Sequence, residues 1–190
     1  MRIIAGTAGG IRLQVPGAVA RPTSDRVREA LFSILGSVVD GARVFDLFSG
    51  SGALGLESLS RGASNCVFVE KDRRACGVIE ANLSKARLGD QGRVVARDAA
   101  TFLGSAPPAS CDLIFADPPY KKNDGDVDHA AALLANPDLV KVISPGGLVV
   151  LETARGHGKT VPADAWKLFD SRSYGDTEIS FFRPRAPKNE

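Results

Sequence analysis

The sequence is poor in the residues that build metal sites and nucleophilic triads. Its 190 residues include only two histidines and three cysteines. The histidines, His129 and His157, stand far apart, which argues against a histidine-based metal site or a Ser/His triad. The cysteines, Cys66, Cys76 and Cys111, are odd in number and lack metal-ligand spacing. We therefore expect reduced thiols, no bound metal and a cytoplasmic location.

Long apolar runs and a strong net charge are also missing. No apolar stretch approaches the ~20 residues that a membrane span needs. Residues 1–6 reach a glycine before the apolar core of a signal peptide can develop, so we expect neither a leader nor a membrane partner. The net charge of +2 is too small to indicate nucleic acid by itself. The composition, 44% apolar and 24% charged, is typical of a globular domain.

Positive charge is nevertheless concentrated near the N-terminus. Residues 1–30 carry five arginines and two acids, a net charge of +3, so the rest of the chain sums to −1. Arginine holds phosphate through two parallel hydrogen bonds, which lysine cannot do. A helix that begins at Thr23 or Ser24 would point Arg26 and Arg28 outward from its apolar stripe. Incidental charge on a solvated surface is the alternative.

From residue 43 onward, predicted strands alternate with predicted helices. The hairpin that precedes them, residues 2–14, turns at Gly9-Gly10. The five predicted strands of the alternating region are 43–48, 65–70, 92–97, 111–116 and 148–152. Helices between successive strands imply right-handed crossovers and a parallel, doubly wound sheet. The chain then ends in a hairpin, residues 166–183, which would add an antiparallel strand.

A glycine-rich turn, Gly50-Ser51-Gly52, lies between the first strand and its helix. Glycines allow a ligand to approach the backbone closely, and the helix N-terminus offers free N–H groups. The acidic Asp46 stands before the glycines, at the end of the strand. This order favours a cationic, amine-bearing ligand such as S-adenosylmethionine over a pyrophosphate. A tight turn without a ligand is the alternative.

Carboxylates end the first four predicted strands. They are Asp46, Glu70, Asp98 and Asp117. Glu70 is placed to accept both hydroxyls of a ribose. Asp98 can accept the amino group of adenine, cap the following helix, or do both. The carboxyl ends of parallel strands lie at one edge of the sheet. The four acids would therefore repel one another unless a ligand or solvent contacted them and offset the repulsion.

The fourth acid opens the stretch Asp117-Pro118-Pro119-Tyr120, which follows a buried strand. The prolines prevent a helix and remove two backbone N–H groups, so the carbonyls before them join no ladder. A carboxylate, rigid backbone acceptors and a flat ring therefore meet at the carboxyl end of a strand, where open α/β sheets bind ligands. This set suits a planar group bearing an NH2, such as a nucleobase. A plain turn at the end of the strand is the alternative.

Together these stretches resemble class I S-adenosylmethionine-dependent methyltransferases, and among them the amino-methylating group with a D-P-P-Y motif. The sequence is similar in particular to the RsmD family, the bacterial 16S rRNA guanine-N2 methyltransferases. The likeness is carried by residues 2–6, 21–32, 52–57 and 117–120 and extends from residue 2 to about 183. In one respect the chain departs from the family: Gly9 and Ile11 flank Gly10 at a turn where extra basic residues are common.

The resemblance implies a Rossmann-like, doubly wound sheet of seven strands whose last strand inserts antiparallel. It divides the chain into an RNA-contacting hairpin and helix (1–36), a methyltransferase domain (37–184) and a tail (185–190). It implies 16S rRNA in an assembling small ribosomal subunit as the partner and S-adenosylmethionine as the cofactor. We also expect the protein to act as a monomer.

The resemblance also assigns residues to roles. The expected cofactor contacts are Asp46, Phe48, Gly50, Gly52, Glu70, Lys71, Asp98 and Ala99. The expected catalytic residues, which hold the target guanine, are Asp117, Pro118, Pro119 and Tyr120. The expected RNA-binding residues are Arg12, Arg21, Arg26 and Arg28.

Two other functions share parts of this pattern. A DNA adenine-N6 methyltransferase uses the same D-P-P-Y chemistry, but the chain has no sizeable insertion for recognising a DNA target. A non-catalytic RNA- or nucleotide-binding protein, or a dinucleotide enzyme, could use the same fold. The row of acids together with D-P-P-Y argues against that second class.

Overall fold

A computed structural model of the chain describes residues 1–17, 24–120, 125–156 and 164–185. Its strands are β1 (Arg43–Leu47), β2 (Asn65–Glu70), β3 (Gly92–Ala96), β4 (Cys111–Ala116), β5 (Ile143–Ala154), β6 (Trp166–Tyr174) and β7 (Thr177–Pro184). Its α-helices are α1 (Asp25–Leu35), α2 (Ala53–Ser60), α3 (Arg73–Ala86), α4 (Ala99–Ser105), α5 (His129–Ala135) and α6 (Pro137–Val142). None of the helices within these ranges is long and apolar enough to cross a membrane.

The seven strands form one sheet in the order β3-β2-β1-β4-β5-β7-β6. Strands β1 to β5 pair in parallel, while β7 lies antiparallel between β5 and β6. The predicted doubly wound sheet with an antiparallel strand inserted at its end is therefore confirmed. The strand order reverses at the centre of the sheet, between β1 and β4, which is where such folds bind ligands.

The fifth strand differs most from its prediction, since it begins at Ile143 and not at Leu148. Its pairing with β4 shifts register between Cys111–Ile143 and Leu113–Leu148. A bulge of this kind absorbs extra residues into a strand. The Pro-Gly-Gly sequence that predicted a turn before the strand therefore lies within it.

Each face of the sheet buries a hydrophobic core. On one face, Ile3 and Leu13 of the N-terminal segment belong to the same buried cluster as Phe32 of α1 and Phe115 of β4. On the other face, side chains of α4, α5 and α6 pack together with Trp166. The N-terminal segment thus shares a core with the sheet, and the division of the chain at residue 36 stays a prediction.

The N-terminal hairpin forms, but with a shorter ladder than predicted. The Ile3 N–H donates to the Ile11 carbonyl at 3.0 Å. The next two donors leave the ladder: the N–H groups of Ile4 and Ala5 donate to the Glu57 carboxylate of α2 at 2.6 and 3.1 Å. A carboxylate is a stronger acceptor than a carbonyl, so the hairpin is held to α2 and not extended as a strand pair.

Arg28 is fully buried, with 0% exposure, although the sequence predicted that it points outward. Its Nη2 donates to the Asp25 carboxylate at 2.7 Å and to the Arg2 carbonyl at 2.5 Å. Its Nη1 lies 3.8 Å from Glu57, which is also fully buried. A guanidinium without exposed surface has no access to a phosphate. The prediction that Arg28 binds RNA is therefore wrong, because this cation balances the buried Glu57.

Replacing Arg28 by alanine should lower the free energy of unfolding by about 3 kcal/mol, because removing one partner leaves a buried charge with less compensation. Arg26 provides a matched control, since it lies on the same helix but is exposed. An Arg26→Ala variant should change the free energy of unfolding by no more than about 0.5 kcal/mol. Urea denaturation followed by circular dichroism measures both. Equal stability of the two variants would contradict the structural role of Arg28.

Candidate active site

Three of the predicted acids meet at the carboxyl edge of the sheet. The parallel register places Asp46 of β1 level with Phe115 of β4, two residues before Asp117. Glu70 is the last residue of the neighbouring strand β2. Burial is the main cause that raises the pKa of Asp46 and of Asp117; the Glu70 charge adds to the first shift and the Asp46 charge to the second, so the three carboxylates influence one another. The predicted convergence of these three acids is confirmed.

Asp46 is 3% exposed and holds the start of α2 in place. Its Oδ2 accepts a hydrogen bond from the Gly55 N–H at 3.0 Å. Burial raises the pKa of Asp46 to about 7; the Gly55 N–H lowers the pKa in part, and the Glu70 charge raises it further. A second carboxylate and a buried position both disfavour the ionised form. A cationic group beside Asp46 would relieve this cost.

The glycine-rich turn is folded against Glu70. The two oxygens of Glu70 accept from the Gly50 N–H and from the Asp72 N–H, each at 2.9 Å. Gly52 has a φ of +75°, and a Cβ at this position would lie 3.1 Å from Ile79. Only glycine therefore fits here without strain. The turn brings its backbone to the carboxylate that we assign to a ribose.

Phe48 adopts the left-handed backbone conformation, with a φ of +60°. This conformation costs a non-glycine residue about 1 kcal/mol or more, and such residues cluster at functional sites. The ring is partly buried and packs against the core beneath α4. The strained residue thus directs the chain from the end of β1 into the glycine-rich turn.

The remaining predicted cofactor residues lie at the helix starts that follow β2 and β3. Asp98 caps α4 by accepting from the N–H groups of Ala100 and Thr101 at 2.9 and 3.3 Å. Ala99 is buried and Lys71 is exposed. Of the alternatives that the sequence left open for Asp98, the helix cap is the one present. A contact between Asp98 and adenine stays a prediction.

The D-P-P-Y stretch leaves the sheet directly after β4. Pro118 is buried and Pro119 is exposed. Tyr120 is 40% exposed, and its hydroxyl donates to Glu152 Oε1 at 3.3 Å. Burial, followed by the nearby charge of Glu152, raises the pKa of Tyr120, so the hydroxyl stays a donor at neutral pH. The ring therefore offers an exposed surface while its hydroxyl is held at the sheet.

A shallow, open pocket lies beside this stretch. Residues of the D-P-P-Y stretch, the start of α5 and the end of β5 line it: Pro118, Pro119, Tyr120, Asp128, Ala130, Glu152, Thr153 and Ala154. Burial raises the pKa of Asp117 well above its ordinary value, and the charges of Glu152 and Asp46 raise it further. The pocket thus adjoins the Asp117 carboxyl group, which binds a proton more tightly than an ordinary aspartate does.

Glu152 is the site residue that sequence reasoning missed. It is 8% exposed, lines the pocket and accepts the Tyr120 hydroxyl. The signal was present, because Glu152 follows an apolar run on the fifth strand just as the other acids follow theirs. The predicted strand 148–152 ends at this acid, although in the structure β5 continues for two residues beyond it.

The site is rich in acceptors and poor in cations. Within the described ranges, no lysine or arginine forms an ion pair with Asp46, Glu70 or Asp117. The same part of the chain contains no group of three or more His, Cys, Asp or Glu residues arranged to hold a metal ion. Uncompensated carboxylates fit an amine-bearing cation and not a pyrophosphate. The residues present thus fit S-adenosylmethionine.

The predicted RNA-binding arginines are not equivalent in the structure. Arg12 and Arg26 are exposed, whereas Arg28 is buried as described above. Arg21 lies outside the described residues. The hairpin adds Arg2, whose side chain is 63% exposed and lies 3.4 Å from Asp25. Three arginines are therefore available on the surface of the described N-terminal segment.

Comparisons with known proteins cover almost the whole chain. The family described as "Conserved hypothetical protein 95" matches residues 1–183. The Ribosomal RNA small subunit methyltransferase D of Escherichia coli is 35% identical over 98% of this chain and 91% of its own length. The chain belongs to the RsmD family of methyltransferases.

Other members of the RsmD family agree in sequence and in structure. The "Putative rRNA methyltransferase YlbH" of Bacillus subtilis is 35% identical over 98% of this chain and its full length. The solved structure of "Putative methyltransferase yhhF from Escherichia coli" superposes with a TM-score of 0.80 at 34% identity and covers 98% of both chains. Because these matches extend from end to end, the N-terminal hairpin and the terminal β-hairpin are both shared with the family.

The raised pKa of Asp46 predicts how stability depends on pH. The pKa of about 7 in the folded protein lies above the ordinary value of 3.8, so the folded state binds this proton more tightly than the unfolded chain. The resulting stabilisation is complete below pH 3.8 and is lost as the pH rises through about 7. An Asp46→Asn variant lacks this titration. Its free energy of unfolding should therefore fall less than that of the wild type between about pH 5 and pH 8.

Chemical denaturation at several pH values in that range measures the difference. Asp112 provides a matched control, because Arg43 lowers the pKa of its carboxyl well below the range tested. An Asp112→Asn variant should change in parallel with the wild type across this range. Parallel curves for wild type and Asp46→Asn would show that Asp46 does not titrate there.

Proposed function

We propose that the protein transfers a methyl group from S-adenosylmethionine to the exocyclic N2 amine of a guanine in 16S ribosomal RNA. One observation carries this proposal: the acceptor-rich D-P-P-Y stretch lines an open pocket, and its Asp117 lies among the buried acids at the carboxyl edge of the sheet. The end-to-end likeness to proteins named as ribosomal RNA methyltransferases supports it. We further propose that the substrate is an assembling small ribosomal subunit and that the protein acts as a cytoplasmic monomer.

The cofactor would be held along the ends of β1, β2 and β3. Glu70 would accept the ribose hydroxyls, and Asp98 would accept the adenine amino group. The turn around Gly50 and Gly52 would let the backbone approach, and Asp46 would balance positive charge. Bound there, S-adenosylmethionine supplies an electrophilic methyl group. The high pKa of Asp46 supports this arrangement, since a cation is what the buried carboxyl lacks.

The target amine would be held by Asp117 and by the Pro118 carbonyl. The lone pair of guanine N2 is delocalised into the ring, so the amine is a weak nucleophile. Hydrogen bonds from its two N–H groups to fixed acceptors orient the lone pair, and such positioning supplies most of the rate enhancement. Tyr120 would stack on the flipped base with its exposed ring.

Asp117 is also suited to take the proton that N2 loses when the new N–C bond forms. An ordinary aspartate is a weak base at neutral pH. Burial and neighbouring charges raise the pKa of Asp117, which makes its carboxylate a better proton acceptor. We propose that Asp117 first accepts the N–H hydrogen bond and then the proton.

Adenine N6 in DNA would present a similar amine to the same acceptors. The relatives that match over the whole chain are named for ribosomal RNA, which favours a guanine in rRNA. The exposed arginines of the N-terminal segment would then hold the RNA backbone beside the site. With Arg28 buried, this role would fall to Arg2, Arg12 and Arg26 among the described residues.

An Asp117→Ala variant should lose methyl transfer by at least about 100-fold, because it lacks the group that orients and deprotonates the amine. Its affinity for S-adenosylmethionine should stay close to that of the wild type. Incubation with labelled S-adenosylmethionine and naked rRNA, small ribosomal subunits or DNA measures transfer and identifies the substrate class. Asp138, a surface acid of α6, provides the control. An active Asp117→Ala enzyme, or transfer to DNA alone, would contradict the proposal.

An Arg12→Ala/Arg26→Ala double variant should bind rRNA with a weaker dependence on salt. Each lost phosphate contact lowers the slope of log affinity against log salt concentration by about 1, so the double variant should lose about 2. Arg172 provides the control, because it is exposed on the edge strand β6 and pairs with Asp170 at 3.0 Å. Filter binding across a salt series measures the slopes. An unchanged slope for the double variant would remove these arginines from the RNA surface.

A further inference from the structure

The end of β5 closes one side of the pocket beside Tyr120. Glu152 and Thr153 both line this pocket and are 8% and 3% exposed. The Thr153 hydroxyl has no hydrogen-bond partner within the described residues. A buried hydroxyl left unpaired costs about 1–3 kcal/mol. A polar ligand that reached the Thr153 hydroxyl would recover that cost.

Glu152 interacts with both groups that we assign to the target base. Its Oε1 accepts the Tyr120 hydroxyl at 3.3 Å. Its charge also acts on the Asp117 carboxyl, whose pKa it raises. An ionised carboxylate has about four acceptor positions, so it can hold the tyrosine hydroxyl and accept from a base at the same time. Glu152 can therefore serve as the acceptor for a second donor on the edge of the base, beside the amine held by Asp117.

The purine edge next to the N2 amine distinguishes guanine from its analogues. In guanine, N1 carries a hydrogen and is a donor, and it is bonded to the carbon that bears the N2 amine. In adenine and in 2-aminopurine, N1 carries only a lone pair. A carboxylate that faces N1 accepts a hydrogen bond from guanine and repels the other two. With the N2 amine held by Asp117, the adjacent N1–H would need an acceptor, and Glu152 is a buried carboxylate that lines the pocket.

We propose that Glu152 selects guanine by accepting a hydrogen bond from N1–H of the base whose N2 amine is held by Asp117. This inference rests on the proposed function and adds to it a specificity-determining residue. Asp117 would decide which atom is methylated, and Glu152 would decide which base is accepted. Tyr120 would orient Glu152 through its hydroxyl while its ring contacts the base.

The test compares small ribosomal subunits reconstituted with either guanine or 2-aminopurine at the modified position. 2-Aminopurine keeps the N2 amine and lacks N1–H. Wild-type protein should prefer guanine by about 100-fold in kcat/KM, since a site built around a donor strongly rejects an analogue that lacks it. In a Glu152→Gln variant the amide NH2 can donate to the bare N1. The preference for guanine should therefore fall at least about 10-fold.

Glu178→Gln is the matched control. Glu178 is a buried acid of β7, 6% exposed, and it lies level with Thr153 in the sheet. Its carboxylate accepts from the Gly156 N–H and the Ser171 hydroxyl and is not part of the pocket lining. The same isosteric change there should leave the preference for guanine at the wild-type value.

The outcomes separate this inference from the proposed function. Transfer to guanine with an unchanged preference in Glu152→Gln would overturn the role of Glu152 and leave the methyltransferase proposal intact. No transfer by the wild type to subunits containing guanine would overturn both. Binding of S-adenosylmethionine reports whether Glu152→Gln is folded. If that variant does not fold, the wild type decides: equal rates on guanine and 2-aminopurine would overturn the inference, and a 100-fold preference would support it.

Discussion

The parallel pairing of β1 with β2 and β4, and of β4 with β5, is the constraint on which the site depends. Parallel strands end at the same edge, so an acid at the end of each strand is brought beside the others. In this chain Asp46, Asp117 and Glu152 lie close together. Besides burial, the charges of Glu152 and Asp46 raise the pKa of Asp117, and the charges of Glu152 and Asp117 raise the pKa of Tyr120. The sheet thus concentrates negative charge that a cationic methyl donor and an amine-bearing base would relieve.

A second constraint fixes the arginine-bearing segment relative to that edge. Glu57 of α2 is fully buried and accepts hydrogen bonds from the hairpin backbone and from Arg61, the latter at 2.7 Å. Asn82 of α3 donates both to the Gln14 carbonyl and to the Ser51 carbonyl in the glycine-rich turn, each at 3.0 Å. The hairpin is therefore anchored to the same elements that carry the turn. RNA held by the hairpin would be presented to the site at a fixed position.

The spacing of apolar residues predicted most of the fold, whereas the wrong or missing predictions concern individual polar residues. Apolar runs located β2 and β4 to the residue, because burial alone determines them. Arg28 has the spacing of an outward residue, but it is buried against Asp25, the Arg2 carbonyl and Glu57, two of which are distant in sequence. Glu152 ends the predicted strand 148–152 just as the other acids end theirs, yet its role depends on contacts with Tyr120 and the pocket that the sequence does not reveal. Asp98 is an N-cap in the structure, a role that local sequence does predict, whereas contact with a cofactor depends on the ligand.

We propose that this edge of the sheet methylates the N2 amine of a guanine in 16S rRNA. Mass spectrometry of nucleosides from treated small ribosomal subunits tests it most directly, because the position of the methyl group on the base identifies the atom that was attacked. The proposed arrangement of Asp117, Tyr120 and Glu152 predicts N2-methylguanosine as the product. N6-methyladenosine, or a methyl group on a ring nitrogen or a ribose, would contradict it.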